Sequence, residues 1–377
     1  MKKIEFFQHS INEDDINRVS SVLRTIFLTT GEEVAKFEQN FSRYISKKYT
    51  VGLTSCTAAL HLSIIALGIG AGDEIITTPM SFCATSNAIL HAGAKPIFID
   101  VEEETGNLNA ELIESAITKR TKAIIPVHIY GQMCDMKRIS QIAKKYDLKI
   151  IEDAAHAIEA SRDSIKVGQL SNAVCFSFYA TKNITSGEGG AVSTDDETLA
   201  DALRMLRLHG IDKIAIERYT KRYKHWDMLL LGWKYNMDNI HAALLIGQLK
   251  RIEELWQKRN KLCKIYEEEL GTVKGIRLLK TLPNTKHARH IFTVLVPSER
   301  RDLILWSLQD HGIGVAVNYR PIHLLKYYKE KFGYREGDYP IAEKIGKSTI
   351  SLPLYPLLNE KDIIYIAKIF KKVLNKK

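Results

Sequence analysis

The strongest constraint on the fold is an alternation of strand-like and helix-like segments between residues 49 and 194. Short, mainly apolar runs, such as residues 96–101 (PIFIDV) and 148–153 (LKIIED), are separated by amphipathic segments such as residues 136–146. Strands that are apolar on both faces, with helices between them, predict a mostly parallel sheet covered on both sides. Ligands of such sheets bind at the carboxyl ends of the strands, so the loops that follow the strands are expected to hold the chemistry.

The pattern changes after about residue 240. Residues 240–270 predict one long helix, and short strand candidates follow before a closing helix at residues 360–374. A chain of 377 residues is long enough for two domains. We therefore predict a large α/β domain, residues 1–247, and a smaller α+β domain, residues 248–377.

The composition argues against membrane, secreted and disulfide-rich classes. Hydrophobic residues make up 45% and charged residues 26% of the chain, which is ordinary for globular proteins. Apolar runs stay well short of the roughly 18 residues of a spanning helix, and the first residues do not resemble a signal peptide, so we expect a cytoplasmic protein without membrane contact. The cysteines are odd in number, dispersed and free of CxxC pairs, which favours reduced thiols over disulfides or a metal site. They are Cys56, Cys83, Cys134, Cys175 and Cys263.

The net charge of +10 raises a second hypothesis, a regulatory or nucleic-acid-binding protein. The basic residues are spread along the chain, with their densest clusters at residues 221–225 and 371–377. This distribution favours a solvated surface, and we expect no nucleic-acid partner.

The most informative segment surrounds Lys182. This lysine follows a predicted strand, within a run of small and hydroxyl side chains that ends in the sequence Gly-Glu-Gly-Gly at residues 187–190. A lysine on a surface loop is the structural alternative, but the neighbouring strands are predicted to be buried, where an unpaired charge is costly. An aldehyde cofactor explains the residue, because a Schiff base needs a desolvated amine whose pKa can fall. Ser177, five residues earlier, is a candidate phosphate ligand.

Asp153 and His156 follow another predicted strand. A carboxylate at a strand's carboxyl end can pair with a protonated pyridine nitrogen and keep the ring an electron sink. His156 lies close enough to contact the same ring. The structural alternatives are a helix N-cap for Asp153 and an ordinary core histidine for His156.

Residues 53–61 form a third strand-to-helix junction, which contains Ser55, Cys56 and Thr57. The free backbone N–H groups and the positive dipole end of a helix suit a phosphate. Ordinary N-capping by Ser55 or Thr57 explains the same residues.

With these segments in order, the chain resembles the DegT/DnrJ/EryC1/StrS family of nucleotide-sugar aminotransferases. The resemblance covers nearly the whole chain. It rests on residues 28–31 (LTTG), 77–85 (TTPMSFCAT), 126–131 (PVHIYG), 152–156 (EDAAH), 177–183 (SFYATKN), 206–210 (LRLHG), 232–237 (GWKYNM) and 318–323 (NYRPIH).

The resemblance implies a fold and a set of roles. The fold is type I of the pyridoxal-phosphate (PLP) transferases, with a mostly parallel seven-stranded sheet and a smaller α+β C-terminal domain. Lys182 holds the cofactor, which alternates between PLP and pyridoxamine phosphate (PMP). The other cofactor contacts implied are Cys56, Thr57, Phe82, Asp153, His156, Ser177 and, from the partner subunit of a homodimer, Asn236. Tyr319 and His323 are implied to meet the nucleotide-sugar.

The chain departs from the family at two places. Cys56 stands where the family often has glycine, and the basic, aromatic segment 211–231 has no assigned role.

The reaction implied by the resemblance is amino transfer from L-glutamate to a keto group of a nucleotide-linked deoxysugar, for surface polysaccharides or glycoconjugates. The sequence at residues 185–190 (TSGEGG) favours a 4-keto over a 3-keto substrate. A PLP-dependent sugar dehydratase is the nearest alternative, but its pattern has histidine at the position of Lys182. No metal site is expected.

Overall fold

The computed structural model of the protein describes residues 2–212 and 225–375. Its strands are β1 Tyr49–Leu53, β2 Glu74–Thr77, β3 Lys95–Phe98, β4 Thr121–Ile124, β5 Lys149–Asp153, β6 Ser161–Arg162, β7 Ile165–Lys166, β8 Ala173–Ser177, β9 Gly190–Thr194, β10 Arg277–Leu278, β11 Thr285–Lys286, β12 Phe292–Leu295 and β13 Thr349–Leu352. Its helices are α1 Glu13–Leu23, α2 Glu32–Ile45, α3 Cys56–Ala66, α4 Ala84–His91, α5 Ile113–Ala116, α6 Met136–Lys145, α7 Glu197–Leu206, α8 Asn239–Lys250, α9 Ile252–Leu270, α10 Arg301–Asp310, α11 Lys326–Phe332, α12 Pro340–Ser348 and α13 Glu360–Leu374. Short 3₁₀ turns span Ala110–Leu112, Ile129–Gly131, Ser298–Arg300 and Ile322–Leu324.

A seven-stranded sheet in the order β1-β9-β8-β5-β4-β2-β3 forms the centre of the molecule. Its strands pair in parallel from β3 across to β8. Strand β9 runs antiparallel to both of its neighbours, β1 and β8. The predicted mostly parallel, seven-stranded sheet is therefore confirmed. The carboxyl ends of β1, β5 and β8 consequently open at the same edge.

The prediction of one long helix over residues 240–270 is wrong, because the backbone leaves the helix at Arg251 (φ −101°, ψ 5°). Arg251 donates from Nη2 to Asp15 Oδ2 at 2.7 Å, which ties the break to α1. The break lets each half pack on a different core. Leu245 of α8 lies in the core beneath the large sheet, and Tyr266 of α9 lies in a second core.

The second core is built on an antiparallel sheet in the order β10-β12-β13. Side chains from α9, α10 and α13 cover it, among them Tyr266 and Phe370. Ile4 also belongs to this core, and its N–H donates to the Gly312 carbonyl at 2.8 Å. The start of the chain thus packs on the C-terminal half. The domain boundary after residue 247 stays a prediction.

Across residues 2–212 and 225–375, the helices are too short or too polar to cross a membrane. Most of the basic segment 211–231 lies outside the described residues, since residues 213–224 are not described.

Candidate active site

The carboxyl ends of β1, β5 and β8 border a cavity of about 560 Å³. This volume falls within the range of small-molecule sites, which is roughly 300–1,000 Å³. The predicted site residues that line the cavity are Cys56, Thr57, Phe82, Asp153, His156, Ser177, Lys182 and Tyr319. The fold therefore brings four sequence segments together, around residues 56, 82, 153 and 180, with Tyr319 added from the C-terminal half.

Helix α3 points its amino end at this cavity. Ser55 is its N-cap, and the Ser55 hydroxyl oxygen accepts the Ala58 N–H at 3.1 Å. The first amides of a helix have no intrahelical acceptor, so those of Cys56 and Thr57 are available to an anion. Strand β9 passes very close to this turn. A Cβ added at Gly190 would lie 2.3 Å from the Ser55 carbonyl carbon, so only glycine fits there.

Lys182 reaches the cavity from the loop after β8. Burial of its amine lowers its pKa from the usual value to about 8, although Cys56 and Asp153 oppose the shift. Its Nζ lies 3.4 Å from Nε2 of His290. A substantial neutral fraction near pH 8 makes this amine a competent nucleophile toward an aldehyde.

Asp153 closes β5 with a carboxylate that is almost completely buried. Its Oδ2 accepts from the Thr85 hydroxyl at 2.8 Å, and its Oδ1 accepts the Ala155 N–H at 3.1 Å. Burial raises the pKa of Asp153, while these two hydrogen bonds and the Lys182 charge oppose the rise. The carboxylate is thus held in place and can pair with a cation in the cavity.

His156 is a buried, neutral ring with a defined tautomer. Burial and the Lys182 charge lower its pKa well below the usual value. Its Nδ1 accepts the Tyr130 N–H at 3.2 Å, so the proton of the neutral ring lies on Nε2, 3.1 Å from the Tyr319 hydroxyl. The His156 and Tyr319 rings are stacked, with an angle of 19° between their planes.

Phe82 lies at the mouth of the cavity with 60% of its surface exposed. An aromatic ring this exposed beside a polar site has a free face on which a flat ligand can stack. Its centroid is 6.0 Å from that of Tyr319, so the two rings flank the same opening.

The fold does not bring two of the predicted residues to the cavity of their own chain. His323 is buried, bonds from Nε2 to Glu343 Oε1 at 3.0 Å and packs against Tyr339. Asn236 donates from Nδ2 to the Thr30 hydroxyl at 2.7 Å and accepts from Lys234 Nζ at the same distance. Neither side chain lines the cavity.

Sequence reasoning missed the contacts of three residues at the site: Thr85, Glu188 and His290. Thr85 and Glu188 lie inside segments that were singled out, but as parts of motifs rather than as ligands. His290 lies among the short strand candidates after residue 270, where no site residue other than Tyr319 and His323 was expected. Two histidines, His287 and His290, lie three residues apart just before an apolar strand, and this pair is the signal that could have identified His290.

Comparison with known proteins agrees with this geometry. Residues 9–371 match the DegT/DnrJ/EryC1/StrS aminotransferase family. Protein MJ1066 of Methanocaldococcus jannaschii, which is uncharacterized, is 44% identical over 98% of this chain and 97% of its own length. The spore coat polysaccharide biosynthesis protein SpsC of Bacillus subtilis is 38% identical over 96% of this chain and 95% of its own length.

A solved structure shows the same fold. Spr1654 of Streptococcus pneumoniae, which is named as a sugar aminotransferase, superimposes in its PMP form with a TM-score of 0.93 at 32% identity, covering 99% of both chains. The same protein has also been solved in a PLP form.

The residues present fit pyridoxal 5′-phosphate. The cavity offers an amine with a depressed pKa, a buried carboxylate, an exposed aromatic ring and a helix amino end with the Ser177 hydroxyl beside it. These are the groups that an aldehyde, a pyridine nitrogen, a flat ring and a phosphate need. From its sequence, its fold and this site, the chain belongs to the DegT/DnrJ/EryC1/StrS aminotransferase family.

Proposed function

We propose that this aminotransferase moves the amino group of L-glutamate to the 4-keto group of a nucleotide-linked 6-deoxysugar, for the synthesis of surface polysaccharides or glycoconjugates. The observation that carries the proposal is the Lys182 amine, with its pKa lowered to about 8, in one cavity with the Asp153 carboxylate. PLP is the cofactor. When bound, it supplies an electron-withdrawing ring that makes the α-carbon of an amino acid acidic.

In this proposal Lys182 has two tasks. Its amine would hold the cofactor covalently, and when the amino donor takes its place, the same amine would be free to act as an acid–base group. Lys182 would remove a proton from the donor's α-carbon, and it would return a proton to the sugar carbon in the second half of the reaction. A positioned acid–base group of this kind contributes about 10²–10⁴-fold to the rate.

Asp153 would hold the pyridine nitrogen in its protonated form, because a buried carboxylate stabilises a neighbouring positive charge. The Thr85 hydroxyl and the Ala155 N–H hold the carboxylate in one orientation. The amino end of α3 and the Ser177 hydroxyl would bind the phosphate, and Phe82 would contact the ring.

The sugar substrate is supported by relatives and by the sequence. SpsC takes part in polysaccharide biosynthesis, and Spr1654 is named as a sugar aminotransferase. The 4-keto preference rests on the sequence TSGEGG at residues 185–190, whose Glu188 lines the cavity. Tyr319 is proposed to meet the sugar from the C-terminal half. His323 is proposed to act on the nucleotide-sugar only through the loop that carries Tyr319, because its own ring bonds to Glu343.

The role of Lys182 is tested by borohydride reduction of the purified protein, followed by peptide mass spectrometry. We expect the cofactor on Lys182 in the wild type, and neither this adduct nor amino transfer in Lys182→Ala. Lys166→Ala, which changes an exposed lysine, serves as the control and should behave as the wild type. A coloured, fully active Lys182→Ala protein would contradict the assignment.

The substrate is tested by supplying 4-keto and 3-keto deoxysugars on the same nucleotide, with L-glutamate, and measuring 2-oxoglutarate. We expect the higher kcat/KM for the 4-keto sugar. Preference for the 3-keto sugar would overturn the regiochemistry alone. Loss of a sugar hydroxyl without release of 2-oxoglutarate would instead indicate the dehydratase.

A further inference from the structure

A line of hydrogen-bonded side chains leads away from Lys182 into the interior. His290 Nε2 lies 3.4 Å from Lys182 Nζ, and His290 Nδ1 lies 3.0 Å from Asn183 Oδ1. Asn183 in turn donates from Nδ2 to Glu159 Oε2 at 2.7 Å. Arg259, which is buried on α9, donates to the other oxygen of Glu159. The chemistry proposed above uses none of the groups beyond Lys182.

The contacts of Asn183 fix which way its amide points. Its Nδ2 faces Glu159 Oε2 and, at 3.1 Å, the Ala288 carbonyl oxygen. Both of these atoms are acceptors, since Glu159 also accepts from Arg259 and a carbonyl oxygen cannot donate. Only the NH₂ group can satisfy them, so the oxygen of Asn183 must face His290.

The orientation of Asn183 then sets the proton on His290. An amide oxygen is an acceptor, so His290 Nδ1 must carry a hydrogen in order to bond to it. Burial lowers the pKa of His290 well below its usual value, and the Lys182 charge acts in the same direction. A neutral ring with its proton on Nδ1 presents a lone pair on Nε2, the atom that faces the Lys182 amine.

We propose that His290 is a positioning residue that accepts a hydrogen bond from Lys182 through Nε2 and holds the amine toward the cavity. Its tautomer is fixed through Asn183 by the buried pair of Glu159 and Arg259. This inference rests on the proposed role of Lys182. The 3.4 Å separation is long for a hydrogen bond, as is common at catalytic sites without a bound ligand.

The contact with His290 should affect the pKa of Lys182 even in the cofactor-free protein. A neutral acceptor beside an ammonium group favours the charged form, so removing the acceptor should lower the pKa of Lys182. The titratable and charged groups that face Lys182 and His290 are Cys56, Asp153, His156, Glu159, Arg259 and His287. All of these groups remain when His290 alone is replaced.

The experiment measures how an amine-reactive reagent labels Lys182 in the cofactor-free protein as a function of pH, with peptide mass spectrometry as the readout. The wild type should show a midpoint at about pH 8. His290→Phe keeps a ring but no acceptor and should lower the midpoint by about one unit, as expected for one hydrogen bond to a charged group. His290→Gln, whose amide oxygen can replace Nε2, should restore it.

The control is His287→Phe, which replaces a half-buried histidine whose Nδ1 accepts the Arg289 N–H at 2.9 Å. It should leave the Lys182 midpoint unchanged. In the loaded enzyme, His290→Phe should lower kcat roughly 10–100-fold, in the range of residues that orient a catalytic group, with recovery in His290→Gln. If the Lys182 labelling midpoint of His290→Phe equals that of the wild type, the proposal is overturned.

If His290→Phe does not fold, the nitrogen-15 spectrum of histidine-labelled wild-type protein still decides the matter. His290 should be neutral and protonated on Nδ1 between pH 6 and pH 9, and protonation on Nε2 would overturn the proposal. Failure of the proposed function would look different, because the wild type itself would then carry no cofactor on Lys182.

Discussion

At the scale of single residues, the site depends on charges held in a dry environment. Burial lowers the pKa of Lys182 and raises that of Asp153, so each group is moved toward its neutral form. Specific contacts oppose the rise in the pKa of Asp153. The Thr85 hydroxyl, 2.8 Å from Asp153 Oδ2, is the first of these. Thr85 therefore matters to the site, even though it need not touch the substrate.

Replacing Thr85 by valine should shift the pH dependence of catalysis. The hydrogen bond from Thr85 favours the Asp153 carboxylate, so its loss raises the pKa of Asp153 further. As the pH falls, the carboxyl then becomes protonated earlier, and the acid side of the kcat/KM profile should move to higher pH. Activity at the optimum should drop, by roughly 10²-fold at most for one lost electrostatic contact.

A matched control is Thr77→Val, because the Thr77 hydroxyl is equally buried but donates to the Ile125 carbonyl oxygen. In Thr77→Val, the acid side of the kcat/KM profile should stay at the wild-type pH. If it moves in both variants, or in neither, Thr85 does not lower the pKa of Asp153.

The sequence predicted the site residues that lie at strand ends, but not which side chains of the 318–323 motif face the cavity. Lys182, Asp153 and Ser177 were found because each lies at or just after the carboxyl end of a strand, and the carboxyl ends of parallel strands meet at one edge. Tyr319 and His323 lie four residues apart in one motif, yet only Tyr319 lines the cavity. The 3₁₀ turn Ile322–Leu324 carries His323 into a pocket with Glu343. Such turns are set by packing and leave no clear periodic signal.

At the scale of elements, the helices and strands of the large sheet were predicted to within a few residues, because their apolar patterns are continuous. Strand direction was harder to predict. Nothing in the short apolar run Gly190–Thr194 distinguishes an antiparallel strand from a parallel one. The break at Arg251 was missed for a similar reason, because its cause is a contact with Asp15, more than 200 residues earlier in the chain.

The contact between β9 and α3 leads to a prediction for Gly190→Ala. The new Cβ would lie 2.3 Å from backbone at Ser55, so strand and helix must separate. We expect a loss of stability of about 1–3 kcal/mol, as for other overpacked sites, together with weaker cofactor binding because the amino end of α3 moves. Thermal unfolding and cofactor titration measure the two effects.

Gly70→Ala is the control for this change, since its Cβ would meet the Ala92 carbonyl oxygen at an ordinary 3.5 Å. It should leave cofactor affinity unchanged. Equal cofactor affinity in Gly190→Ala and the wild type would show that the phosphate is held elsewhere.

At the scale of the whole molecule, the prediction that remains to be tested is a homodimer with shared active sites. Ile26 and Leu231 are large apolar side chains with 94% and 77% of their surface exposed. Asn236 pairs with Leu53 next to the start of α3 but does not line the cavity of its own chain. The exposed apolar side chains are consistent with the predicted homodimer. That Asn236 reaches the phosphate site of the partner subunit stays a prediction.

Mixing two inactive variants tests the shared site. Lys182→Ala and Asn236→Ala should each be nearly inactive as homodimers. After unfolding and refolding together, mixed dimers contain one intact site, so about a quarter of wild-type activity should return. Light scattering should show a dimer throughout. Activity that stays at the level of the separate variants would mean that each subunit builds its site alone.

The N-terminal segment has a practical consequence for anyone who works with this enzyme. Ile4 is hydrogen-bonded to the C-terminal half, and the adjacent Phe6 and Phe7 line the cavity. A fluorophore attached ahead of Lys2 would therefore be only a few residues from the side chains that line the cavity, and its fluorescence should change when substrate binds. For the same reason, an affinity tag intended to leave turnover undisturbed belongs at the other end of the chain, beyond α13.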